Sequence, residues 1–219
     1  MNKEIAVIFD MDGVICHTNP YHSLAFREFF SARNLAPTDE EFAAHMFGKS
    51  NSYILSHFFK RPVTGEELLQ LEEEKESLFR KIYEPHIDPI AGIMPFINEL
   101  EANHVKLGVA TSAPRANLDL ILTKVNIRKK MASILASENV SKHKPDPEVY
   151  LKSAANLGLQ PDQCLVFEDS FSGVSAALNA GMRVVGVLSS HSREELPPCN
   201  LYINDYNELS YQKILTLFG

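Results

Sequence analysis

Asp10 and Asp12 stand two residues apart, with Gly13 behind them, directly after the apolar run Ile5-Ala6-Val7-Ile8-Phe9. Two carboxylates this close repel one another unless a cation or a shared proton lies between them. Further polar groups recur at comparable places. Thr111-Ser112 follows the apolar stretch 105–110, Lys144 precedes a proline-flanked helix start, and Glu168-Asp169 follows Cys164-Leu165-Val166-Phe167. Carboxylates, hydroxyls and one lysine together suit phosphoryl transfer. A carboxylate can attack phosphorus and carry it as an aspartyl phosphate. Mg²⁺ needs only one or two protein carboxylates beside substrate phosphate and water. Plainer readings stand beside these: turn residues for either aspartate, a helix cap at Pro114 for Thr111-Ser112, a solvated surface group for Lys144, and a helix cap for Asp169.

Convergence of such distant residues depends on the elements that carry them. Short apolar runs bounded by charge read as strands buried on both faces, and they fall at 5–9, 105–110, 133–136, 164–167, 184–188 and 201–203. Helical patterns alternate with them at 114–125, 147–157, 173–180 and 208–217, the third stopped by Gly181. This alternation predicts an α/β fold, a Rossmann-like three-layer sandwich on a parallel sheet. The carboxyl ends of its strands share one edge, where ligands of such sheets bind.

One stretch breaks the alternation. Residues 16–88 contain no convincing strand but several helix starts. Asn19-Pro20 reads as a cap with proline at the first helical position, and Thr38-x-x-Glu41 and Thr64-x-x-Glu67 read as capping boxes. The expected organisation is a discontinuous core, 1–15 with 89–219, and a helical cap domain at 16–88.

Composition narrows the function. At 219 residues and 45% hydrophobic content the chain can bury a substantial core. Its net charge of −7, from 21 basic and 28 acidic residues, disfavours nucleic acid as a partner. No stretch approaches the roughly 18 apolar residues of a membrane span. Met1-Asn2-Lys3-Glu4 leads straight into the first strand, which leaves no room for a signal peptide. Cys16, Cys164 and Cys199 are odd in number and lack zinc-type spacing, which suggests reduced thiols in a cytoplasmic protein.

Taken in order, Asp10-Met11-Asp12-Gly13-Val14, Ala110-Thr111-Ser112, Lys144-Pro145-Asp146-Pro147 and Glu168-Asp169-Ser170 make the chain resemble the haloacid dehalogenase superfamily. The resemblance is to its β-phosphoglucomutase-like phosphatases with a small helical cap, and it covers essentially the full length. It implies that Asp10 is the nucleophile and Asp12 the general acid and base. It also implies that Mg²⁺ is held by Asp10, the Asp12 carbonyl and Asp169, with Glu168 directly or through water. Thr111 and Ser112 would hold phosphate oxygens, and Lys144 would balance charge and orient Asp10.

In the cap, the resemblance makes His22 a residue that gates the general acid. It makes Lys75 substrate-facing, although the acidic run Glu72-Glu73-Glu74-Lys75-Glu76 also reads as a solvated helix face. The mutases usually carry arginine where Asn51 aligns, within Gly48-Lys49-Ser50-Asn51-Ser52. Asn51 cannot supply the charge with which arginine holds a bisphosphate's distal phosphate bidentately, and Lys49 is only a flexible substitute, which tilts the reading from mutase toward phosphatase. The expectation is therefore a monomeric, Mg²⁺-dependent phosphohydrolase of a small phosphorylated metabolite, a sugar phosphate or pyrophosphate, with β-phosphoglucomutase as the alternative. A signalling receiver module would use a similar acidic cluster but lacks a helical insertion after its first strand.

Overall fold

Runs such as Ala-Val-Ile-Phe have no polar face to give to water, so they belong between two layers of helices. The computed structural model describes residues 4–46 and 50–219 and builds these runs into one six-stranded sheet. Its strands are β1 (Ala6–Phe9), β2 (Lys106–Ala110), β3 (Ser133–Leu135), β4 (Cys164–Glu168), β5 (Arg183–Val187) and β6 (Leu201–Ile203). Every neighbouring pair is parallel, and the spatial order is β3-β2-β1-β4-β5-β6. The chain moves outward from β1 to β3, then returns to β4 on the other side. The order thus reverses between β1 and β4, the switch point at which open α/β sheets form a crevice.

The helices are α1 (Asn19–Ser31), α2 (Asp39–His45), α3 (Asn51–Phe59), α4 (Gly65–Tyr83), α5 (Ile93–Ala102), α6 (Arg115–Lys124), α7 (Glu148–Leu157), α8 (Phe171–Asn179) and α9 (Tyr211–Thr216). The described chain divides into two units that part between His17 and Thr18 and between His86 and Ile87. In the sheet unit, the two chain crossings are stitched side by side. Cys16 bridges Pro89, and Ile90 N–H donates to Ile15 O at 2.9 Å. The helical unit has its own core, built largely from Phe26, Phe29, Phe30, Phe42, Leu55 and Phe58.

Local signals explain most helix starts. The Thr38–Glu41 capping box is formed, and Gly181 takes a positive φ of 76° just past the end of α8. Two expectations need correction. Thr18, not Asn19, is the N-cap of α1, so Asn19 is already helical. Thr64 makes no side-chain cap at α4, and the Glu67 carboxylate that would complete the box is engaged bidentately by Arg61 at 2.8 and 2.5 Å.

Candidate active site

Register sets the first three residues of the site. Phe9 lies opposite both Val109 and Phe167, so the next positions, Asp10, Ala110 and Glu168, come level at the carboxyl edge. Asp10 N–H continues the ladder to Phe167 O at 3.0 Å. Behind it the chain turns sharply, with Ile15 N–H on Met11 O at 2.8 Å and Tyr206 Oη donating to Val14 O at 3.0 Å. Gly13 carries this turn with φ of 70°, and a Cβ there would fall on the Asp169 carboxylate. Asp12 is half-buried in the same turn.

Lys144 reaches into this edge from the loop before α7. Its Nζ donates to Asp10 Oδ1 at 2.6 Å, Glu168 Oε1 at 2.7 Å and Ala110 O at 3.1 Å. Three acceptors use all the N–H groups of an ammonium. The side chain is 5% exposed, which overturns the surface reading of this lysine. Burial would lower its pKa, but the Asp10 and Glu168 charges reverse that and push it well up. Burial also drives the Asp10 carboxyl well above its ordinary value; Lys144 pulls it back, while Glu168, Asp12 and Asp169 push it further.

Glu168 is held from both sides. Its Oε1 accepts from Lys144 and from Tyr150 Oη at 2.8 Å, and its Oε2 accepts from Asp169 N, Ser170 N and Ser170 Oγ at 3.0–3.1 Å. Space for the carboxylate exists because residue 173 is glycine; a Cβ there would coincide with it. The cap of α8 is Ser170, whose Oγ accepts from Gly173 N at 3.1 Å. Asp169 is therefore not the helix cap, and its buried side chain instead meets Ser190 Oγ.

Thr111 is buried, and its Oγ1 accepts from Ala113 N at 3.0 Å, while Ser112 is exposed. Neither caps α6. The Glu138 carboxylate does, accepting from Arg115 N at 2.9 and 3.0 Å.

Among the described residues, Asp10, Glu168 and Asp169 each offer a carboxylate oxygen within 4.8 Å of the others. An all-oxygen, buried donor set fits a hard divalent cation such as Mg²⁺. Charge points the same way, since Glu168, Asp12 and Asp169 all act on Asp10 as like charges, while Lys144 pairs with Asp10 and Glu168.

The helical unit has a polar cluster of its own, and it gathers His22, Asn51 and Lys75. Lys75 is 2% exposed, so the solvated-face reading is overturned. It pairs with Glu76, lies 3.3 Å from His22 Nδ1 and sits over the Phe26 ring at 4.5 Å. An ammonium only donates, so Nδ1 accepts and the His22 proton is on Nε2. His22 stacks on Phe79 at 3.7 Å, and Asn51 Nδ2 donates to Glu76 Oε1 at 3.3 Å. Gly48 and Lys49 lie outside the described residues.

Several members of these clusters belong to no motif noticed in the sequence: Tyr150, Ser189, Ser190 and His191 at the sheet edge, and Glu76 in the helical unit. The serines follow an expected strand end, so the edge rule that selected Asp10 and Glu168 also points to them.

A doubly wound parallel sheet with buried acids and one lysine at its switch point defines a class of α/β enzymes that handle anionic groups. The haloacid dehalogenase-like hydrolase family profile matches residues 7–187. A β-phosphoglucomutase of Bacillus subtilis is 31% identical, covering 83% of this chain and 82% of its own. A fructose-1-phosphate phosphatase of Escherichia coli is 30% identical, covering 83% and 95%. The crystal structure of a HAD hydrolase, family IA, variant 3, from Entamoeba histolytica superposes with a TM-score of 0.91 at 27% identity, over 98% of this chain and 99% of that one. The chain belongs to the haloacid dehalogenase-like hydrolases.

Proposed function

We propose that this hydrolase is a Mg²⁺-dependent phosphatase of a small phosphorylated metabolite, a sugar phosphate or pyrophosphate, working through an aspartyl phosphate on Asp10. The observation that carries this reading is Lys144, which ties Asp10 to Glu168 inside a surplus of carboxylates. Lys144 holds Asp10 Oδ1, which leaves Oδ2 to attack phosphorus. As the Oδ2–P bond forms and the P–O bond to the leaving group breaks, Asp12 gives its proton to the departing oxygen. Asp12 then takes a proton from water, which attacks phosphorus, frees Asp10 and releases phosphate. Thr111 and Ser112 hold the phosphoryl oxygens.

Asp10, the Asp12 carbonyl and Asp169 would hold the cation, with Glu168, whose oxygens already accept five donors, beside them. When bound, Mg²⁺ supplies the positive charge that lets an anionic phosphate approach this acidic edge. His22, Asn51 and Lys75 serve as leaving-group contacts.

A second reading, β-phosphoglucomutase, is supported by the identity to the Bacillus protein. Against it, Asn51 is uncharged and the charge of Lys75 is met by Glu76. A cluster so balanced suits hydroxyls better than a second phosphate.

The test is phosphate release with Mg²⁺ from a panel of sugar phosphates, nucleotides and pyrophosphate, for the native chain and D10N. Equal rates would end the phosphatase reading. Isomerisation of glucose 1-phosphate, primed with a bisphosphate and far outpacing phosphate release, would favour the mutase.

A further inference from the structure

We propose that Ser189 and Ser190 form a clamp that sets the cation affinity of the site: Ser190 holds the Asp169 carboxylate, and Ser189 holds the loop bearing Asp12. The inference rests on the Mg²⁺ reading above and adds residues that lie outside its motifs.

Placement follows from the sheet. Glu168 pairs with Gly186, so the exit of β5 runs beside Asp169 at the same edge. Ser189 Oγ lies 2.5 Å from Gly13 O and 3.5 Å from Asp169 Oδ2. A hydroxyl has one proton to donate, and the shorter contact takes it to Gly13 O. Ser190 Oγ meets Asp169 Oδ2 and lies 3.2 Å from Asp169 O. That carbonyl already has a donor, because His191 Nδ1 is 2.9 Å away. A carbonyl only accepts, so Nδ1 carries hydrogen, and the single Ser190 proton goes to its nearer acceptor, the Asp169 carboxylate. Each donor of the loop then has its own acceptor.

The arrangement also joins the two sides of the site. A Cβ at Gly13 would collide with Asp169 and approach Ser189 Oγ at 2.9 Å. Ser189 thus holds the β1 loop at Gly13, while Ser190 holds the Asp169 carboxylate at Oδ2. Partners of metal-holding carboxylates tune affinity by roughly 10- to 100-fold.

The experiment is Mn²⁺ binding, read by electron paramagnetic resonance, with Mg²⁺ calorimetry beside it. Native chain, S189A, S190A, S190T and S189A/S190A are compared, with circular dichroism to establish folding. Ser190 is exposed, so threonine fits and keeps the hydroxyl. S190A is expected to weaken binding about 10-fold or more, the double variant further, and S190T to stay near native. At saturating metal kcat recovers, so the loss reads in metal affinity rather than turnover. Native-like affinity in S190A, or equal losses in S190A and S190T, overturns the clamp while the Mg²⁺ reading stands. A native chain that binds neither ion overturns both.

Discussion

Among the described residues, Lys144 and Lys75 both have buried side chains beside an aromatic ring and carboxylate, and they serve different ends. Lys144 lies 4.8 Å from the Tyr150 ring and bridges two carboxylates, with Asp12 and Asp169 also close enough to act on Asp10. Lys75 lies 4.5 Å from the Phe26 ring and meets one carboxylate, Glu76. The second cluster closes its own charge account. The first gathers like charges, with Glu168, Asp12 and Asp169 all acting on Asp10 against the pull of Lys144, and desolvated like charges are tolerated only with a further cation or proton. Crowding of like charge, more than burial, distinguishes a candidate cation site from a self-paired cluster.

The comparison breaks first at Asp10. D10N should reduce phosphate release on the order of 10⁴-fold or more, the scale at which a covalent nucleophile is lost; a discontinuous phosphate assay reads this directly. The next effect separates the clusters by stability. K75M or E76L alone should cost about 3–5 kcal/mol, whereas K75M/E76L together should return close to native, because a buried pair is replaceable by apolar groups when both partners go. K144M should lose on the same scale, but K144M/E168Q should not recover, since Asp10, Asp12 and Asp169 still face one another. Urea unfolding of the five variants decides it; recovery at both sites would erase the distinction.

A smaller loss is expected for Y150F, which removes one of the two donors at Glu168 Oε1 and leaves Lys144. Hydrogen bonds to charged groups contribute about 1.5–3 kcal/mol, measurable in the same unfolding series. A last effect concerns pH. Burial pushes the Cys164 and Cys199 thiols from 9 up to about 11. The unfolded thiols ionise first, so their contribution is complete below pH 9 and is lost as pH rises through about 11. C164A/C199A should flatten the alkaline limb of the stability curve, and an unchanged limb would exclude the thiols as its cause.

Much of this was legible in the sequence because a strand buried on both faces leaves an unbroken apolar run. Asp10 and Glu168-Asp169 were found by that signal, and strands β1 to β6 fall within a residue or two of expectation. Boundaries were poorer where side chains compete. Glu67 chose Arg61 over its capping box, and α8 begins at Phe171, before Gly173, because Ser170 caps it. Lys75 in its acidic run was ambiguous, since pattern alone cannot say which of five charged neighbours turns inward. Tyr150 carried no motif: its hydroxyl matters only through Glu168, which lies 18 residues away.

The junction at Ser170 ties the acidic edge to the birth of a helix. One hydroxyl both donates to Glu168 and accepts a free first-turn amide of α8, that of Gly173. Fraying of that first turn and release of Glu168 are consequently a single opening event. The amide protons of Asp169, Ser170 and Gly173 should exchange with solvent as a group, and their common protection factor is a spectroscopic gauge of how tightly the edge is assembled.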